Sequence, residues 1–124
     1  MPLTTNPSFN DQKTQLIILQ KFCKLSGIEL FVDKCVLCGS NKIKTMNFNL
    51  RGLICQNCFT QNNKELYSLN FNKLVHFLFK EKYDSINSFS SYYHPLINYL
   101  VAYIKNSLGI TILDQNFFHF YNKK

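Results

Sequence analysis

The chain has 124 residues, 46% of them apolar and 17% charged, which suits one domain with a core of its own and excludes general disorder. Fourteen Lys and Arg stand against seven Asp and Glu, a formal +7 that fits a polyanionic partner as well as plain solubility. Apolar runs such as LIIL at 16–19 are far shorter than the roughly 20 residues of a membrane-spanning helix.

The opening stretch, MPLTTNPSFNDQK, lacks the basic and then apolar pattern of a secretory leader. A cytoplasmic, reducing environment is therefore expected, and a disulfide framework is not. The abundance of Asn, Lys, Phe and Tyr reads as A/T-rich coding rather than as a binding signal.

Residues 11–26, DQKTQLIILQKFCKLS, predict the first helix, with Ile18, Leu19, Phe22 and Leu25 on one face and Gly27 as the C-terminal cap. Cys23 inside that run reads as a small buried apolar residue. Then come two C-x2-C pairs, Cys35/Cys38 and Cys55/Cys58, with sixteen residues between them. Each pair makes a tight turn with its two sulfurs aimed at one centre, and the intervening chain must fold back to join the turns. IKTMNFNL reads as an extended strand, Arg51-Gly52 as a turn with Gly52 at positive φ, and LIC as the return strand. Gly39 eases the first turn.

Residues 33–60 are thus expected to form a β-hairpin zinc module in which Cys35, Cys38, Cys55 and Cys58 hold one structural Zn²⁺. A closed four-sulfur shell leaves no position for a reacting water. A redox role lacks a thioredoxin-like βαβ context, while a rubredoxin-like iron site shares the geometry.

Further along, FNKLVHFLFKE at 71–81 places Phe71, Leu74, Val75, Leu78 and Phe79 at helical spacing, with Asn70 as N-cap. A Ser- and Asn-rich stretch, 85–91, separates it from a helix over 92–108, which carries Ile97, Leu100, Val101, Ile104 and Leu108 on one face. Pro95 suits its first turn and Gly109 its end. The aromatic tail 110–124, with His119, is expected to dock on the core. The fold class is therefore mainly α, one domain, with the small hairpin finger inserted between helices.

Between residues 30 and 63 the basic residues are Lys34, Lys42, Lys44 and Arg51, and the only acid is Asp33. These four cations are candidate phosphate contacts, against the alternative of a solvated hairpin face. Alternation predicts Lys42 and Lys44 together on a solvent face opposite Ile43. Phe48 is expected to pack under the hairpin, with stacking on a base as the alternative. His76 reads as partly buried and His94 as exposed. The acids are scattered and no nucleophile stands beside a base, so a binding protein is expected rather than an enzyme.

The strings LIILQKFCKLSGIELFVDKCVLCGS, FNLRGLICQNC, SLNFNKLVHFL and PLINYLVAYIKNSLGITILDQNFF resemble the bacterial recombination mediator family RecO over about residues 14–118. The resemblance implies zinc ligands at Cys35, Cys38, Cys55 and Cys58. It also implies a role in DNA repair and homologous recombination, with single-stranded DNA, the single-strand-binding protein and RecR as partners. It covers the family's C-terminal helical and zinc part, since the roughly 13 residues before the first helix cannot form the N-terminal OB-fold barrel. A natural short form, one half of a split gene and a degenerate remnant all fit that pattern.

The GTPase-activating proteins of Arf-type GTPases share the cysteine spacing. They carry a catalytic Arg and a His-Arg motif shortly after the last pair, where this chain has FTQNNKELYS. A zinc-ribbon interaction or transcription-associated adaptor is the alternative function.

Overall fold

The computed structural model describes residues 11–61 and 66–109. In chain order it has α1 (Gln12–Leu25), strands β1 (Ile43–Asn47) and β2 (Gly52–Cys55), a short α2 (Gln56–Gln61), α3 (Leu69–Phe79), a 3₁₀ segment (Tyr83–Tyr92) and α4 (Tyr93–Leu108). The molecule is mainly helical, with one small antiparallel sheet seated among the helices. No helix among the described residues is long and apolar enough to cross a membrane. The tail 110–124, His119 included, lies outside the described residues.

α1 begins at Asp11, whose carboxylate accepts from the Lys13 N–H, and ends in a Schellman turn with Gly27 at φ 77°. There the Ile28 N–H reaches the Cys23 carbonyl at 2.9 Å and the Gly27 N–H reaches that of Lys24. The buried stripe is Leu16, Leu19, Gln20 and Cys23, flanked by Ile18. Leu25, expected on this face, is 78% exposed because it occupies the last helical position, from which the chain turns away. Gln20 takes a core position because distant residues satisfy its amide. Its Nε2 donates to Glu81 at 3.2 Å, and its Oε1 accepts from the Tyr83 hydroxyl at 2.5 Å.

α3 starts two residues earlier than the apolar pattern suggests, and its N-cap is Ser68, not Asn70. The Ser68 hydroxyl accepts from the Phe71 N–H, whereas Asn70 lies inside the helix. All five apolar residues expected on its inner face are buried. It ends in another Schellman turn, with Glu81 instead of glycine in the left-handed conformation at φ 62°. The Glu81 carboxylate ties this turn to α1 through Lys24 at 3.0 Å as well as Gln20. Hydrogen bonds from Lys24 and Gln20 hold its carboxyl below the usual range.

The stretch 85–91 is no mere spacer. It lies in the 3₁₀ segment and buries Ile86, whose carbonyl accepts from the Tyr93 hydroxyl. α4 buries Leu96, Ile97, Leu100, Tyr103 and Ile104. It stops at Gly109, which has a left-handed φ of 71°. Leu108, expected on the same face, is 37% exposed at the helix end.

The hairpin is a wall shared by two apolar clusters. Met46 and Leu53 point into the main core with α1, α3 and α4, while Ile54 packs with Cys35, Cys55 and Cys58. Strand alternation sets this division, because the neighbours Leu53 and Ile54 face opposite sides of the sheet.

Three polar links tie the hairpin and the segment 28–32 beside it to the helices. Asn72 on α3 accepts from the Met46 N–H at 2.9 Å and donates to the Tyr67 carbonyl and the Thr45 hydroxyl. His76 donates from Nδ1 to the Val32 carbonyl at 3.0 Å. The Tyr103 hydroxyl donates to the Ile28 carbonyl at 2.6 Å.

Asn72→Leu keeps the volume and removes the partners of a buried N–H, so a loss of about 1–3 kcal/mol is expected in urea unfolding. A loss within experimental error would mean that the hairpin is not held through this residue.

Candidate metal centre

The first cysteine pair lies in a turn whose path is set by its own backbone. The Gly39 N–H donates to the Cys35 carbonyl at 2.8 Å, and Gly39 adopts φ 82°. The Cys35 N–H closes the loop onto the Ser40 carbonyl at 2.8 Å. The second pair straddles a strand end and a helix start: Cys55 closes β2, and Cys58 sits in the first turn of α2. The hairpin brings the two turns face to face.

The four Sγ atoms lie within 4.8 Å of one another. Cys35 to Cys58 and Cys38 to Cys55 are each 3.6 Å. A disulfide needs about 2.05 Å between sulfurs. Sulfurs at about 2.3 Å from one tetrahedral ion are about 3.8 Å apart. The arrangement therefore fits four thiolates around a single ion and excludes paired disulfides, and all four cysteines are free.

Backbone N–H groups point at the sulfurs as they would at thiolates. Burial pushes the Cys35 thiol up, but N–H groups of Cys38, Cys55 and Leu37, with the Cys58 thiol, outweigh it and hold Cys35 down at about 6. The Cys58 N–H likewise lowers Cys55. Burial, reinforced by the neighbouring sulfurs, raises Cys58 to about 12. Four sulfurs this close cannot all hold negative charge without a cation among them. Cys35, Cys55 and Cys58 are buried and Cys38 is exposed, so the site sits at the surface end of its small apolar cluster.

Cys23 is fully buried on α1, apart from this group, and burial followed by the charge of Glu29 raises it to about 12. His76 is committed to Val32, and His94 is exposed on α4.

The four candidate cationic contacts are all exposed, and none forms an ion pair among the described residues. Asp33, the only acid in that stretch of sequence, is neutralised by Lys80 at 2.6 Å, and hydrogen bonding to that ammonium lowers its carboxyl. The structure divides the four. Lys34 adjoins Cys35, and Lys42 and Lys44 flank Ile43, which pairs with Cys55, so these three stand at the cysteine end of the hairpin. Arg51 lies at the opposite end, in the turn.

Phe48 packs under the hairpin as expected, stacked on Tyr99 at 5.4 Å and edge-on to Tyr67.

The turn corrects one expectation. Positive φ falls on Arg51, at 66°, and not on Gly52. Gly52 lies in β2, where Phe31 runs close alongside it in a parallel bridge. The Phe31 N–H donates to the Arg51 carbonyl at 2.9 Å, and the Leu53 N–H donates to the Phe31 carbonyl at 3.0 Å. A Cβ on Gly52 would sit 2.6 Å from the Phe31 carbonyl oxygen.

Asn72, Thr45, Gln20 and Glu81 carry structural roles that apolar periodicity does not register. Each is polar, and each finds its partner more than twenty residues away. No protein-family model, curated protein or solved structure matches this chain.

Proposed function

We propose that this chain is a RecO-like zinc-binding module that serves DNA repair and homologous recombination by binding, not by catalysis. Its ion is Zn²⁺, held by Cys35, Cys38, Cys55 and Cys58, because four thiolates in a tetrahedral shell suit zinc and leave no ligand position open for chemistry. The ion clamps the excursion between α1 and α3 and keeps the hairpin rigid against the helices. The partners are single-stranded DNA, approached through Lys34, Lys42, Lys44 and Arg51, and proteins of the recombination machinery such as the single-strand-binding protein and RecR.

The observation that carries this reading is the insertion of the four-cysteine hairpin between α1 and α3, fastened to α3 by Asn72, with His76 of the same helix holding Val32 in the segment that leads into it. That integration also weighs against a zinc-ribbon adaptor, in which the finger would stand apart from loosely attached helices. The unpaired cations on a stretch with no free acid support a phosphate-bearing partner.

Titration of labelled single-stranded DNA at 50 and 200 mM salt tests the DNA arm. Four phosphate contacts on a single strand predict an affinity loss of about 50-fold, from a slope of about −0.7 per contact. Absent or salt-insensitive binding removes DNA as a direct ligand and leaves the protein partners.

A further inference from the structure

A cleft of about 320 Å³ opens between the hairpin turn and α4, at the far end of the hairpin from the cysteines. Phe48 and Tyr99 give it aromatic faces, and Asn47, Arg51 and Asn106 give it hydrogen-bond donors; no carboxylate lines it among the described residues.

Asn47 is only 8% exposed. Its Oδ1 is taken by the Leu50 N–H at 2.9 Å, while its Nδ2 makes no hydrogen bond among the described residues. No buried side-chain polar atom there lacks a partner, so this nitrogen is not sealed off and reaches the open space of the cleft. The guanidinium of Arg51, the only arginine in the chain, likewise forms no ion pair among the described residues.

We propose that this cleft is a nucleotide subsite. One base of a single strand lies against the aromatic wall, a base carbonyl accepts from Asn47 Nδ2, and the adjoining phosphate meets Arg51. The chemistry favours this occupant. Flat π-faces accept any base. The free amide N–H of Asn47 offers a hydrogen bond to an acceptor, which an aliphatic side chain does not supply. A guanidinium with no acid against it among the described residues suits an anion. The 5.4 Å between the Phe48 and Tyr99 rings is already a stacked contact, so the base covers the wall rather than inserting between them. This inference rests on the DNA reading proposed above and adds to it where a base, rather than the backbone alone, is recognised.

The test uses the full chain, fluorescein-labelled dT8 and an abasic strand with the same number of phosphates. The dT8 strand should bind about 10-fold more tightly or better, the expected worth of stacking one base. The Asn47 side-chain amide resonances should move with dT8 and stay still with the abasic strand. Arg51→Gly, at a position whose φ suits glycine, should lower the salt slope for dT8 by about 0.7.

Equal affinity for the two strands would overturn the subsite while leaving DNA binding intact. No binding of either strand would remove the subsite together with the DNA arm of the proposed function. Movement of the Asn47 resonances with a peptide ending in a free carboxylate, but not with dT8, would assign the cleft to a protein partner and overturn the nucleotide.

Discussion

Cys55→Ser is expected to yield a chain that no longer retains a stoichiometric metal ion and loses more than about 4 kcal/mol of stability, the range of a lost structural metal. Cys55 is buried at the end of β2, 3.6 Å from Cys38 across the site. A hydroxyl there leaves three thiolates around the ion and places a polar atom in the cluster of Ile54, Val36 and Phe59. Cys38→Ser should lose metal as well, with less damage to packing because Cys38 is exposed. Cys23→Ala is the control, since its thiol belongs to the helical core and it should leave metal content unchanged. Elemental analysis after dialysis, read beside denaturant unfolding, checks all three. Full metal content in Cys55→Ser would refute its assignment as a ligand.

The second large effect is expected at Gly52. Gly52→Ala should cost about 3 kcal/mol or more, because the new methyl meets a backbone carbonyl at 2.6 Å and rigid backbone cannot step aside as a side-chain end can. The damage should reach the metal, since the strand displaced by the clash leads from Phe31 to Cys35 and is bonded to β2 by the Val36 N–H. Arg51→Gly, one residue earlier, should instead be neutral or gain up to about 1 kcal/mol, because the left-handed conformation is on Arg51. Thermal unfolding of the two variants separates them. The opposite order would return the positive φ to Gly52 and remove the close bridge with Phe31.

This contrast shows how far the sequence can be read. The cysteine spacing states its own geometry, and the apolar stripe of α3 states its own, because both depend on neighbours within a few residues; on α4 the pattern finds Ile97, Leu100 and Ile104, but Val101 is only partly buried and Leu108 is exposed. Gly52 is a different case. A glycine after Arg51 looks like a turn residue by local chemistry, but the requirement comes from Phe31, which the fold brings across it.

Gln20 is buried on α1 for the same reason, since Glu81 and Tyr83 satisfy its amide from more than sixty residues away, whereas Leu25 is exposed because the helix ends there. α2 has no apolar period to announce it, and its first turn places Cys58 toward the other sulfurs. Among the candidate contacts, the hairpin register sets three lysines at one end and Arg51 at the other, a separation that a list of basic residues does not contain.

The most direct measurement is the metal and thiol inventory of the purified full-length chain. One tightly held metal ion per chain is predicted, zinc under the function proposed here, with all five cysteines titrating as thiols once the ion is chelated and the chain unfolded. A folded protein that carries no metal, or one that yields a single titratable thiol because the other four are joined as disulfides, would contradict it.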